Sequence, residues 1–184
     1  MKIKTFLFIL LVLSIFSLGQ TQRNIDIIFD LTDLSISEIN KKENYVLNFN
    51  SAENLNVIKG RIFKNIKTEN SETVLNYYVD SLKVVYPEMF RDGWFGDYFL
   101  IRDVRLAGYY SIEKKGSLLD KKEFNLSVKD TVEYSKLNEI ESQALNFTQG
   151  EIPQEPFFDS MVETVIAVGA AVVSIILFFT IRSD

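Results

Sequence analysis

Apolar residues recur at helical spacing early in the chain, at Ile27, Ile28, Leu31 and Leu34, with Asp26, Asp30 and Asp33 turned to the other side. That spacing predicts a helix over Asn24–Ser37, against a rival strand in which Ile25, Ile27 and Phe29 alternate with polar neighbours. A polar turn at Asn40–Asn44 precedes a short strand, Tyr45–Phe49. Leu55, Ile58, Ile62 and Ile66 then recur at helical intervals and predict a second helix over Ser51–Thr68. Ser51 stands as its cap and Glu53 in its first turn, where the helix dipole favours an acid. From Val74 the period becomes two. Strand Val74–Tyr86 shifts phase at Asp80-Ser81, which predicts a β-bulge, and Pro87 closes it. The longest strand-like run is Tyr98–Ile112, with Tyr98, Leu100, Val104, Leu106, Tyr110 and Ile112 on one face and Asp103, Arg105 and Ser111 on the other. Lys114–Ser117 reads as a hairpin turn, Leu118–Val128 as the returning strand, and Val132 and Tyr134 as the start of one more.

The order helix, strand, helix, then consecutive strands predicts an α+β domain. The first strand, the second helix and the next strand form a parallel βαβ unit, and the later strands extend the sheet as an antiparallel meander. The expected sheet is therefore mixed, with two helices on one face. An all-β sandwich is the alternative if both helix assignments fail.

Both ends of the chain are apolar. Lys2 and Lys4 precede the run Thr5–Leu18, and Ser17-Leu18-Gly19 offers a small-x-small cleavage site, so residues 1–19 read as a secretory signal. From Thr164 to Ile181 no residue is charged, and 161–181 is expected to be a transmembrane helix. Arg182 follows that run and acids precede it, which places the three-residue tail, 182–184, in the cytoplasm. The organisation expected is signal, exported domain over 20–137, an acidic stalk over 138–160 containing Pro153 and Pro156, span and tail.

Composition narrows the chemistry. The 184 residues include no His and no Cys, which removes Ser-His-Asp and Cys-His catalysis, zinc sites of the usual type and disulfides. No glycine-rich phosphate loop and no calcium-loop pattern can be written. No cofactor and no metal are expected. Between residues 20 and 160, seventeen basic residues face twenty-three acidic ones, which argues against a nucleic-acid binder.

Three groups of residues remain as candidate contacts. The stretch RDGWFGDYF, Arg91–Phe99, holds the only Trp between two turn-forming glycines, so Arg91, Trp94, Phe95 and Tyr98 are the expected binding tip. Lys59, Arg61, Lys64 and Lys67 on the second helix suit an anionic lipid or glycan. In the apolar run Ala167, Ala170, Ala171 and Ser174 form small-xxx-small pairs that allow two copies to dimerise. The function expected is a single-pass envelope protein, non-enzymatic, that binds or assembles with other envelope proteins outside the cytoplasmic membrane. The alternatives are a glycan-processing enzyme using Asp92 and Asp97, since two carboxylates suffice for that chemistry, and a ligand-sensing module coupled to a membrane partner.

Overall fold

The computed structural model describes residues 21–69, 71–93, 96–154 and 157–181. The signal-like segment, Trp94, Phe95 and the last three residues lie outside the described residues. Helix α1, Asn24–Ser35, buries Ile27, Ile28, Leu31, Thr32 and Ser35. Leu34, expected on that face, is 56% exposed. Its place on the inward side is taken by Ser35, whose hydroxyl donates to the Thr32 carbonyl at 2.7 Å and contacts the Tyr77 hydroxyl at 2.6 Å. Because Ser35 already donates, Tyr77 is the donor of the second bond. Burial pushes the Tyr77 hydroxyl well above the usual phenol range, so it keeps that proton.

Strand β1, Asn44–Ser51, runs two residues beyond its expected end and pairs in parallel with the next long strand up to Ser51 opposite Val79. Ser51 is thus a strand residue, not a helix cap, and its hydroxyl bonds the Glu53 carbonyl at 2.6 Å. Helix α2, Asn56–Asn65, starts after Leu55 with no side-chain cap. It also ends earlier than expected, because Lys67–Thr68 is extended as β2 and pairs in parallel with β1. Lys67 is therefore not a helix residue.

Strand β3, Thr73–Arg91, has the expected bulge between Val79 and Ser81, and it continues through Pro87 rather than stopping there. A second register shift between Val85 and Glu88 accommodates the proline, which supplies no N–H to a ladder and is tolerated at a bulge. Strand β4, Tyr98–Lys114, and strand β5, Ser117–Glu133, complete the meander. The Val132 stretch belongs to β5 and forms no separate strand. Lys115 and Gly116, both at positive φ, make the β4–β5 turn. The sheet order is β2-β1-β3-β4-β5, with β2, β1 and β3 parallel neighbours and β3, β4 and β5 antiparallel. This is the mixed α+β sheet that the pattern implies, and the two helices rule out an all-β sandwich.

One face of the sheet carries the core. Tyr45, Leu47, Leu75, Tyr77, Leu100, Val104, Leu106 and Tyr110 meet Ile27, Ile28 and Leu31 of α1 and Ile58 and Ile62 of α2. Tyr77 lies between Phe49 and Phe124, with ring centroids at 6.0 and 5.3 Å. Gly108 of β4 is needed at the first bulge, where a Cβ would come within 2.1 Å of the Tyr78 carbonyl oxygen. The opposite face bears its own aromatic pairs, Tyr78–Tyr109 and Phe90–Phe99, stacked at 4.5 and 5.8 Å.

The segment expected to be a stalk holds a short helix, α3, Leu137–Ile140, and a 3-10 turn at Asn146–Thr148. Leu137, Ile140 and Thr148 are buried, so packing on β3 and β4 extends the domain to about Gly150. Helix α4, Phe157–Ile181, follows as 25 residues. Its residues from Thr164 to Thr180 are all exposed. Among the described residues no helix is long and apolar enough to cross a membrane.

Candidate functional site

The β3–β4 connection is a tight hairpin. The Asp92 amide donates to the Asp97 carbonyl at 3.1 Å, and Gly93 takes φ +75°. Gly96 is equally constrained, since a Cβ there would fall 1.7 Å from the Asp92 carbonyl oxygen. Arg91 lies over the Tyr98 ring at 5.1 Å and its Nε donates to the Gly96 carbonyl at 2.9 Å. Two of the four residues expected at the tip, Arg91 and Tyr98, are thus brought together, and both are half-buried. Trp94 and Phe95 lie outside the described residues. Asp92 and Asp97 are exposed on the turn.

The four cations of the second group do not form one surface. Arg61 is a strut between helices: its Nε and Nη2 donate to the two carboxylate oxygens of Asp33 in α1, at 2.9 and 2.5 Å. Asn65 donates to the same carboxylate, and the Arg61 guanidinium lies over Phe29 at 5.2 Å. That pairing raises the Arg61 pKa further, through the Asp33 hydrogen bond first. Lys59 lies over its neighbour Phe63 at 5.8 Å. Lys64 is exposed on α2 and Lys67 on β2. On α4, Ala167, Ala170, Ala171 and Ser174 are exposed, with the Ser174 hydroxyl returned to the Ala170 carbonyl at 2.8 Å.

The most organised polar cluster was not anticipated. Arg102 of β4 is wholly buried, at 0% exposure. Its Nε donates to Asp130 Oδ1 of β5 at 2.7 Å, and Nη2 meets Asp130 Oδ2. Its Nη1 donates to the Gln22 carbonyl at 2.7 Å and to Asn24 Oδ1 at 2.8 Å. The Asn24 amide passes the network on, donating to the Tyr86 hydroxyl at 2.9 Å and to the Thr148 carbonyl at 2.8 Å. Burial raises the Tyr86 pKa well above the phenol range, so this hydroxyl stays protonated. Asp130 is 40% exposed, so the pair joins a dry cation to a wetter anion. The signal was present in the pattern: position 102 falls among the inward residues Leu100, Val104 and Leu106, where a charge needs partners.

A second charged cluster lies on the opposite face. Asp103, 1% exposed, accepts from Arg105 Nε at 2.9 Å, and Lys129 Nζ stands 3.6 Å away. Its Oδ1 is buried without a partner among the described residues. The Arg105 hydrogen bond, with the charges of Arg105 and Lys129, holds the Asp103 carboxyl below the usual carboxylate range against the opposing effect of burial. No group of acids that could hold a metal ion occurs among the described residues.

No family model matches the chain, and no curated protein matches it. Among solved structures it is similar to a minor lipoprotein from Acinetobacter baumannii, at 11% identity and a TM-score of 0.32 over 52% of this chain and 69% of that one. It is also similar to the rare lipoprotein B from Shewanella oneidensis, at 15% identity and a TM-score of 0.27 over 68% of this chain and 82% of that one. Likenesses of this size carry no argument about function.

Replacing Arg102 by Met should remove about 3 kcal/mol of stability, because Asn24 and Gln22 lose their donor and the Asp130 carboxylate its partner. Urea denaturation of the protein measures it, and a loss under about 1 kcal/mol would show that the network is peripheral.

Asp103 predicts an acid-dependent term. Its folded pKa is depressed, so its contribution is present above the ordinary carboxylate value near 4 and is lost as pH falls through the lower folded value. Thermal melts of the wild type should drop across that window more steeply than those of Asp103→Asn. Parallel pH profiles would remove Asp103 as the cause.

Proposed function

We propose that the chain is an exported, membrane-anchored envelope protein that acts by binding or assembly rather than by catalysis, with α4 as its anchor. The observation that carries this reading is the surface of α4. From Thr164 to Ile181 it has no charge, and every residue from Thr164 to Thr180 is exposed, with Val165 at 65%, Ile176 at 59% and Phe179 at 66%. So much contiguous apolar surface is not stable in water and calls for a cover. Eighteen helical residues reach about 27 Å, close to the ~30 Å of a hydrocarbon core. The run sits at the short limit for a span. Lipid fits it better than a protein groove because no stripe of polar residues divides the surface. An N-terminal signal places the domain on the outer side of that membrane, and Arg182 keeps the tail inside.

In this reading the β3–β4 hairpin is the contact with other envelope proteins. In sequence, Trp94 and Phe95 stand between Arg91 and Tyr98, and Trp, Tyr and Arg are the residue types that dominate interface energetics.

Alkaline carbonate extraction of membranes tests the anchor. The full chain should stay with the membrane pellet, and a chain ending at Gln154 should be released; release of both would sink the anchoring role. Photo-crosslinking from position 94 in the same membranes tests the tip. A reproducible cross-link to another protein that is lost on Tyr98→Ala supports it, whereas cross-links only within the chain would make Trp94 a core residue.

A further inference from the structure

The parallel strand β1 ends at Ser51, opposite Val79, but β3 runs on to Arg91. From Leu82 to Phe90, β3 has β4 as its strand neighbour on one side, and no strand pairs with its other edge among the described residues. None of its backbone groups in that stretch makes a turn or loop hydrogen bond among the described residues either. An unpaired edge of this kind is a template for another strand unless something covers or distorts it. Here the bulge at Val79–Ser81 bends it at one end. Gly150 approaches the same stretch so closely that a Cβ there would lie 2.9 Å from both the Val84 carbonyl oxygen and the Tyr86 ring.

Beside that edge lies a groove of about 1000 Å³. Three segments line it: Leu82 to Val85 of β3, Glu53 and Val57 from the β1–α2 loop and the start of α2, and Leu145, Phe147 and Glu151 from the segment after α3. Val57 and Val85 are each 38% exposed, so the groove offers apolar surface along with unpaired backbone. Its charged lining is Glu53 and Glu151 against Lys83 alone, so it favours a basic occupant.

We propose that this groove binds an extended polypeptide segment of a partner protein, which adds to β3 as a further strand. The segment carries apolar residues at alternate positions, to fill the space beside Val57, Phe147 and Val85, and basic residues that meet Glu53 and Glu151. Backbone hydrogen bonds to the β3 edge supply affinity, and the alternating side chains supply selectivity. The site stands apart from the anchor and from the hairpin tip, so it can fail without either of them failing.

The test uses the full chain in detergent micelles and a synthetic library of heptapeptides with apolar residues at alternate positions and Lys, Thr or Glu at the others. Members with Lys should bind in preference to those with Glu. N-methylation of the alternate amides facing β3 should weaken the best binder by about tenfold, the effect of losing one or two net hydrogen bonds. Ala144→Trp, at an exposed position of the groove lining, should weaken it by a similar factor while leaving the fold intact. Bound peptide should slow hydrogen exchange at the amides of Leu82–Tyr86. The proposal is overturned if no heptapeptide bound by the native chain is lost in Ala144→Trp, or if N-methylated and unmodified peptides bind equally.

Discussion

The guanidinium of Arg102 is the constraint around which the domain is organised. A cation with no exposure is expensive to bury, and the cost is offset only when its donors all find good acceptors. Those acceptors come from separate parts of the chain: Asp130 on β5, the Gln22 carbonyl ahead of α1, and Asn24 at the first turn of α1. Asn24 in turn binds Tyr86 of β3 and the Thr148 carbonyl of the last 3-10 turn. One buried cluster therefore ties the beginning of the domain, three strands and its end. It holds β4 and β5 in register, since Arg102 and Asp130 are direct cross-strand partners. It also brings the segment before α1 and the segment leading to α4 to the same place on the sheet.

The layout of surfaces follows from that arrangement. The helices occupy one face, where Tyr77 and the aliphatic residues of β3 and β4 form the core. The other face is left to aromatic pairs and to the Asp103–Arg105–Lys129 cluster. With β1 two-thirds shorter in its pairing than β3 is long, the sheet leaves an edge that loops border without pairing. The hairpin at Asp92–Asp97 lies farther along the same strand, with Gly93 at positive φ and Gly96 against the Asp92 carbonyl oxygen. Between the helices, Arg61 pairs with Asp33 and so joins α2 to α1.

Much of the architecture was legible because period and turn chemistry act locally. The change from helical spacing to alternation located α1, α2 and the long strands, and the parallel pairing of β1 with β3 followed from the helix between them. The bulge at Asp80-Ser81 showed as a phase shift in the apolar residues. The errors have local causes overridden by pairing. Ser51 looked like a cap until β1 claimed it, and Lys67 looked helical until β2 did. Pro87 looked like a terminator, but a bulge removes the need for its missing N–H. Leu34 looked buried because helical spacing does not say which edge of an apolar stripe meets the sheet.

What the sequence by itself determined is the chemistry the chain lacks and the order of its elements. Without His or Cys, and with an apolar run at each end, a chain of this composition has a narrow range of roles, because those properties depend on residue identity alone. What only the tertiary structure decided is which charged residues act together. Arg61 and Asp33 are 28 positions apart, as are Arg102 and Asp130, and Asn24 and Thr148 are 124 apart. Such partners are chosen by burial: a group removed from water must find its complement among whatever the fold brings near, and spacing along the chain carries no record of that choice. The open edge of β3 is of the same kind, since it exists only because β1 stops at Ser51 while β3, paired to β4, continues to Arg91.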